Sequence, residues 1–144
     1  MAVSDMSYLA YKELNSDVSF DELDYIHATF LNEKLSFDLA FCFLDLICPS
    51  FKEVDGYLFL NLIFSDENYQ EHVSAGRSGK DIQVWMNLVG ISDIFEGIET
   101  SEAVSIASKV AQNWNLIISD RKDLGKGWAR VIVDNDEAVY VTLD

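Results

Sequence analysis

WARVIVDNDEAVYVTLD, residues 128–144, is the stretch that decides the fold class. Trp128, Arg130 and Ile132 alternate with Ala129, Val131 and Val133; a polar DNDE turn follows, and Val139, Val141 and Leu143 then alternate with Tyr140 and Thr142. A period of two on both sides of a turn predicts a β-hairpin with one face buried. The chain must therefore build a sheet.

Upstream, LSFDLAFCFLDLICPSFKEVDGYLFLNLIF, residues 35–64, is the most apolar segment and the expected centre of the core. Ser36 can cap a helix over 37–47, with Pro49 ending it and biasing Cys48 away from the α region. That helix is apolar nearly all round, as a buried central helix would be; a strand over the same residues is the alternative. Asp55-Gly56 between Phe51–Val54 and Tyr57–Leu60 signals a tight hairpin turn, or a single strand bent at Gly56. Joined to the 128–144 hairpin, this segment predicts one small, mainly antiparallel sheet.

The remaining elements read as helices. Residues 3–14 place Met6, Leu9, Ala10 and Leu14 on one side. Ser19 and Glu22 have the spacing of a capping box ahead of an apolar face of Leu23, Ile26, His27, Phe30 and Leu31. Ser65 caps a helix running to about Ala75, which Gly76 can close. Ser78 and Asp81 open another, with Ile82, Trp85, Met86 and Val89 on its face and its end near Gly90. The clearest runs from Ser101 to Lys122, its face formed by Ala103, Val104, Ala107, Val110, Ala111, Trp114, Ile117 and Ile118. The order predicts an α+β protein, a single domain over 1–144 with five to six helices packed on the sheet.

Composition narrows the function classes. At 144 residues and 49% apolar, with one proline, the chain is suited to one sizeable core. No run approaches the roughly eighteen apolar residues of a membrane span, and the N-terminus lacks a signal-peptide pattern, so a cytoplasmic location is expected. Cys42 and Cys48, six apart on the expected helix, are about 9 Å from each other along its axis, too far for usual disulfide geometry; buried, reduced thiols are expected. Net charge is −15. Residues 1–72 carry fourteen acids and three bases, and residues 73–144 eleven acids and seven bases. Such a field repels phosphate, which disfavours nucleic acid and anionic membranes and suits a basic protein partner.

The candidate chemistry is sparse. GRSGKD at 76–81 resembles a phosphate-binding loop, but Ser74 stands where the first glycine is needed and Asp81 where a magnesium-binding Ser or Thr belongs. DNDE at 134–137 lacks the third oxygen ligand and the glycine of a calcium loop. His27, His72, Cys42 and Cys48 have no zinc-ligand spacing, so no metal and no cofactor are expected. No nucleophile elbow appears, and no catalytic residue is assigned. Asp38 and Asp45 share a helix face at about 10.5 Å along the axis, wide for an acid/base pair, and read as a solvent-facing strip.

Acidic clusters remain. Asp17, Asp21, Glu22 and Asp24 surround one helix start; Asp93, Glu96, Glu99 and Glu102 border SDIFEGIET, 92–100. In the second, Phe95 and Ile98 are either anchors of a binding surface ringed by charge or, more simply, core side chains turned inward. Asp93, Phe95, Glu96, Ile98 and Glu99 are the candidate partner-binding residues. Size and charge match small acidic proteins that neutralise basic partners, such as bacterial immunity proteins, a likeness of composition and not of motif. The expected function is a non-enzymatic protein-binding domain of that inhibitor or immunity type; a homo-oligomer is compatible with it. The alternative is a small enzyme or ligand-binding protein with a scattered site, which a deep pocket of converging Asp, His or Arg side chains would mark.

Overall fold

The structure, a computed structural model, describes residues 7–121 and 123–144. Met6, with the rest of the helix start expected before residue 7, and Lys122 lie outside the described residues. The chain is α+β, in the order α1 (Tyr8–Leu14), α2 (Glu22–Glu33), α3 (Phe37–Ile47), β1 (Phe51–Val54), β2 (Tyr57–Leu60), α4 (Asp66–Ser74), α5 (Gly79–Met86), β3 (Val89–Gly90), α6 (Ile91–Ile94), α7 (Thr100–Asp120), β4 (Ala129–Val133) and β5 (Val139–Leu143). No described helix is long and apolar enough to cross a membrane. The chain divides into two compact units, Met1–Cys42 and Phe43–Asp144, with the division inside α3.

In the N-terminal unit, α1 and α2 meet through rings. Tyr8 and Tyr11 each stack on Phe20 and meet Tyr25 edge-on, at centroid distances of 5.4–6.3 Å. Tyr25 lies on the opposite side of α2 from the Leu23–Leu31 stripe. The aromatic contacts therefore turn α2's aliphatic face away from α1, and Leu23 and Leu31 remain 74% and 68% exposed. The capping box of α2 is Asp21 with Asp24, each side chain accepting the other's backbone N–H at 3.0 Å, where Ser19 and Glu22 were expected. A carboxylate does what the serine would have done, two residues later.

The C-terminal unit holds the core. In α7, Ala103, Ala107, Val110, Ala111, Trp114 and Ile118 are buried, as the helical spacing predicts. Three alanines four residues apart let the helix backbone come close to the β4–β5 hairpin. That hairpin has the register Ala129↔Leu143, Val131↔Val141, Val133↔Val139. Strand β5 is central in a three-stranded antiparallel sheet of order β3-β5-β4. Both its faces are covered, so Thr142 is buried along with Val139, Val141 and Leu143, its hydroxyl donating to the Val84 carbonyl at 2.6 Å.

Strands β1 and β2 form their own two-stranded sheet, separate from the C-terminal hairpin that the sequence reading joined to them. Their turn is of the primed kind expected of Asp-Gly: Asp55 and Gly56 both have positive φ, 51° and 85°. What prevents a single sheet is visible on the outer edge of β2. The buried Asn87 amide accepts from Leu60 N–H at 2.8 Å and donates to the Leu58 carbonyl at 3.0 Å, taking the place of a neighbouring strand. Gln83 Nε2 adds bonds to the Leu58 and Lys126 carbonyls.

Three burial expectations are corrected. Helix α3 is not a central buried helix: Phe37, Leu39, Phe41 and Leu44 are exposed, and Leu46 is its one buried residue. Its C-terminal half meets the core: Trp114 Nε1 donates to the Leu46 carbonyl at 2.8 Å, and Phe43 stacks on Phe95. Cys42 and Cys48 are accordingly free but exposed. On α5 the buried face is Ile82, Gln83 and Met86, because Gln83 must reach β2, and this rotation leaves Trp85 61% exposed.

Candidate partner-binding surface

The segment from Gly90 to Glu102 is built around two fixed points. Ile91, fully buried, anchors α6. Gly97, at φ +83°, turns the chain so that Ile98 N–H donates to the Phe95 carbonyl at 3.1 Å. Glu99 then starts α7 through its backbone, its carbonyl accepting from Ala103 N–H, while its carboxylate makes no capping bond. Phe95 and Ile98 are half-buried and pack against the main core; Phe95 also stacks on Phe43 at 6.1 Å. The inward alternative thus describes most of their packing. Ile94 is the more open apolar side chain, 46% exposed, and Asp93, Glu96, Glu99 and Glu102 are all exposed around it in sequence.

The fold adds acids that sequence reasoning left out. Val139 N–H donates to Ser92 Oγ at 2.9 Å, and the Thr100 hydroxyl donates to the Glu137 carbonyl at 3.4 Å, so the DNDE turn is held against the 92–100 segment. Between them stands Tyr140. Its phenol is pushed up from its ordinary pKa, first by burial and then by the negative charges of Asp134 and Asp93, with Asp136 contributing. Charges more than forty residues apart in sequence therefore act on one hydroxyl. Asp134 is partly occupied by its own turn, accepting from the Asp136 and Ala138 N–H groups at 2.9 Å. Among the described residues, the ion pairs are Lys52–Asp66, Arg121–Asp123 and Arg130–Asp144. The carboxylates of Asp93, Glu96, Glu99, Glu102, Asp136 and Glu137 are in none of them. Such a surface can attract cations and basic side chains, and Ile94, Phe95 and Ile98 supply apolar area beside it.

Other candidates stay apart. His27 is exposed in a shallow groove of the N-terminal unit lined by Val18, Phe20, Asp24, Ala28 and Leu31. His72 Nδ1 lies 2.8 Å from an Arg77 guanidinium nitrogen. Asp38 and Asp45 are both exposed. Among the described residues, no group of three or more His, Cys, Asp and Glu side chains could hold a metal ion. The GRSGKD loop is a helix start: Ser78 Oγ accepts from Asp81 N–H at 3.1 Å. A second groove runs along α7, lined by Gln112, Asn115, Leu116, Ser119 and Trp128, and brings together no titratable pair. The chain matches no protein-family model, no curated protein and no solved structure.

Proposed function

We propose that this protein is a non-enzymatic binding domain for a basic protein, of the inhibitor or immunity type, and that Asp93, Phe95, Glu96, Ile98 and Glu99 belong to its contact surface. One observation carries the reading: two acidic stretches distant in sequence, 93–102 and 134–137, are held together around Tyr140 without ion-pair partners among the described residues. Like charges gathered on one surface cost folding free energy, and an oppositely charged partner relieves that cost. Long-range attraction would speed encounter, while Ile94 and the open parts of Phe95 and Ile98 would slow release.

The test compares the wild-type protein with a variant carrying Asp93→Lys, Glu96→Lys and Glu99→Lys, each immobilised, exposed to lysate of its source cell and eluted with rising salt. The wild type should retain a basic protein that leaves at raised salt, and association of that purified protein with the variant should be slower and less salt-dependent. Equal rates and equal salt dependence for both forms would remove these residues from the interface.

A further inference from the structure

In an antiparallel pair, alternate residues direct both backbone groups toward the partner strand and the others direct them away. Trp128 and Asp144 exchange N–H···O bonds in both directions, and Asp134 N–H donates to Ala138, so the residues of β4 facing β5 are the even-numbered ones. Ala129, Val131 and Val133 point their N–H and C=O groups outward, along an edge that no other described strand covers. The first of these is closed: Asn115 Oδ1 accepts from Ala129 N–H at 2.7 Å, and Asn115 Nδ2 donates to the Ala129 carbonyl at 2.9 Å. Among the described residues, Val131 and Val133 have no such partner. The edge has neither proline, lysine nor bulge, and its one charged side chain, Arg130, is paired with Asp144. The opposite edge of the sheet, β3, is only two residues long.

We infer that the β4 edge is a strand-addition site for an extended, basic segment of a partner protein. The backbone of that segment pairs with Val131 and Val133. The Asn115 amide fixes where pairing stops, since Ala129 is already taken. At that stop lies the groove formed by Leu116 and Trp128 with the polar side chains of Gln112 and Ser119, which can receive an apolar side chain. At the other end stand Asp134, Asp136 and Glu137, which select lysine or arginine on the incoming strand. A second copy of this chain is a poor occupant. Edge-to-edge pairing would bring together two molecules that each carry −15. The choice of a basic segment rests on the proposed function; the pairing geometry does not.

The probe is a short peptide alternating lysine and valine, blocked at both ends, titrated into the isotope-labelled full-length protein at low salt. Two control peptides complete the set: one N-methylated at alternate amides and one with glutamate in place of lysine. The lysine peptide should shift the Val131 and Val133 amides and slow their hydrogen exchange at least about tenfold, and the methylated peptide should do neither. Val133→Pro, which removes one outward donor at a position where an edge strand tolerates proline, should weaken binding. If the lysine and methylated peptides act alike, or neither touches Val131 and Val133, strand addition is overturned while the acidic-surface reading stands. If the glutamate peptide pairs as well as the lysine one, the edge is real and the basic-partner reading fails. Protection of both amides that grows with protein concentration alone would assign the edge to a second copy and overturn the proposal.

Discussion

The two units of this protein, Met1–Cys42 and Phe43–Asp144, use apolar residues in opposite ways. In the C-terminal unit Leu58, Leu60, Ile91, Trp114, Val139 and Val141 are inaccessible to solvent. In the N-terminal unit no described residue is buried, and Leu9, Leu14, Leu23, Ile26 and Leu31 all stand open. Polar groups follow the same division. The buried Gln83, Asn87 and Thr142 side chains are hydrogen-bonded, whereas the Thr29 hydroxyl is enclosed without a partner among the described residues. Apolar content therefore does not make a core. Enclosure needs surfaces that arrive from distant parts of the chain: in the larger unit β2, α7 and β5 converge, while in the smaller unit α1 and α2 meet at a few rings. A segment of that size has too little interior to enclose a side chain fully.

The largest test of this contrast is removal of the hairpin. Deleting residues 128–144 takes away the central strand β5 and should abolish cooperative unfolding; a sharp transition with an unchanged midpoint would show that the core closes without it. Trp114→Ala should cost about 3–5 kcal/mol in denaturant unfolding, since it empties the centre of the core and frees the Leu46 carbonyl. The N-terminal counterpart, Phe20→Ala, removes a half-buried ring and should cost about 0.5–1.5 kcal/mol, the size of its aromatic contacts. Comparable losses for the two would dissolve the distinction between the units.

A smaller effect is read with pH. Tyr69, buried on α4, donates its hydroxyl to Asp55 at the β1–β2 turn; that bond, with burial and the Asp55 charge, pushes the phenol up to about 12 from 10.0. The folded state holds the proton more tightly, so this stabilisation is complete below pH 10.0 and is lost as pH rises toward about 12. Unfolding followed across that window should fall less steeply for Tyr69→Phe than for the wild type. The smallest effect belongs to the bare face of α2. Leu23→Ser and Ile26→Ser should each change stability by no more than about 0.5 kcal/mol. A loss of several times that would mean the face is covered in solution, and the comparison would have to be redrawn.

For the candidate surface, sequence supplied half. Asp93, Glu96, Glu99 and Glu102 follow directly from one acidic segment, and the half-burial of Phe95 and Ile98 is the inward packing weighed for them. Asp134, Asp136 and Glu137 read as a solvated turn because nothing within a few residues says which other loop lies beside it. The same holds for Asn115: an asparagine on the polar side of a helix gives no sign that it will seal a strand edge.

Sequence alone determined what neighbours in the chain can settle: the alternation and turn of the C-terminal hairpin, the Ser65 and Ser78 caps and the buried face of α7. Each depends on sterics and hydrogen bonds within a turn or two, where residue type constrains geometry directly. Tertiary structure decided the rest: two sheets in place of one, β5 at the centre, the rotation of α5 that leaves Trp85 outside, and the side of α2 that meets α1. These are choices between apolar or polar surfaces of similar local character. They are settled by which distant partner offers the better fit, as when Asn87 occupies the edge of β2 or Tyr25 outcompetes Leu23 for α1. Periodicity says that a face exists; only packing says what meets it.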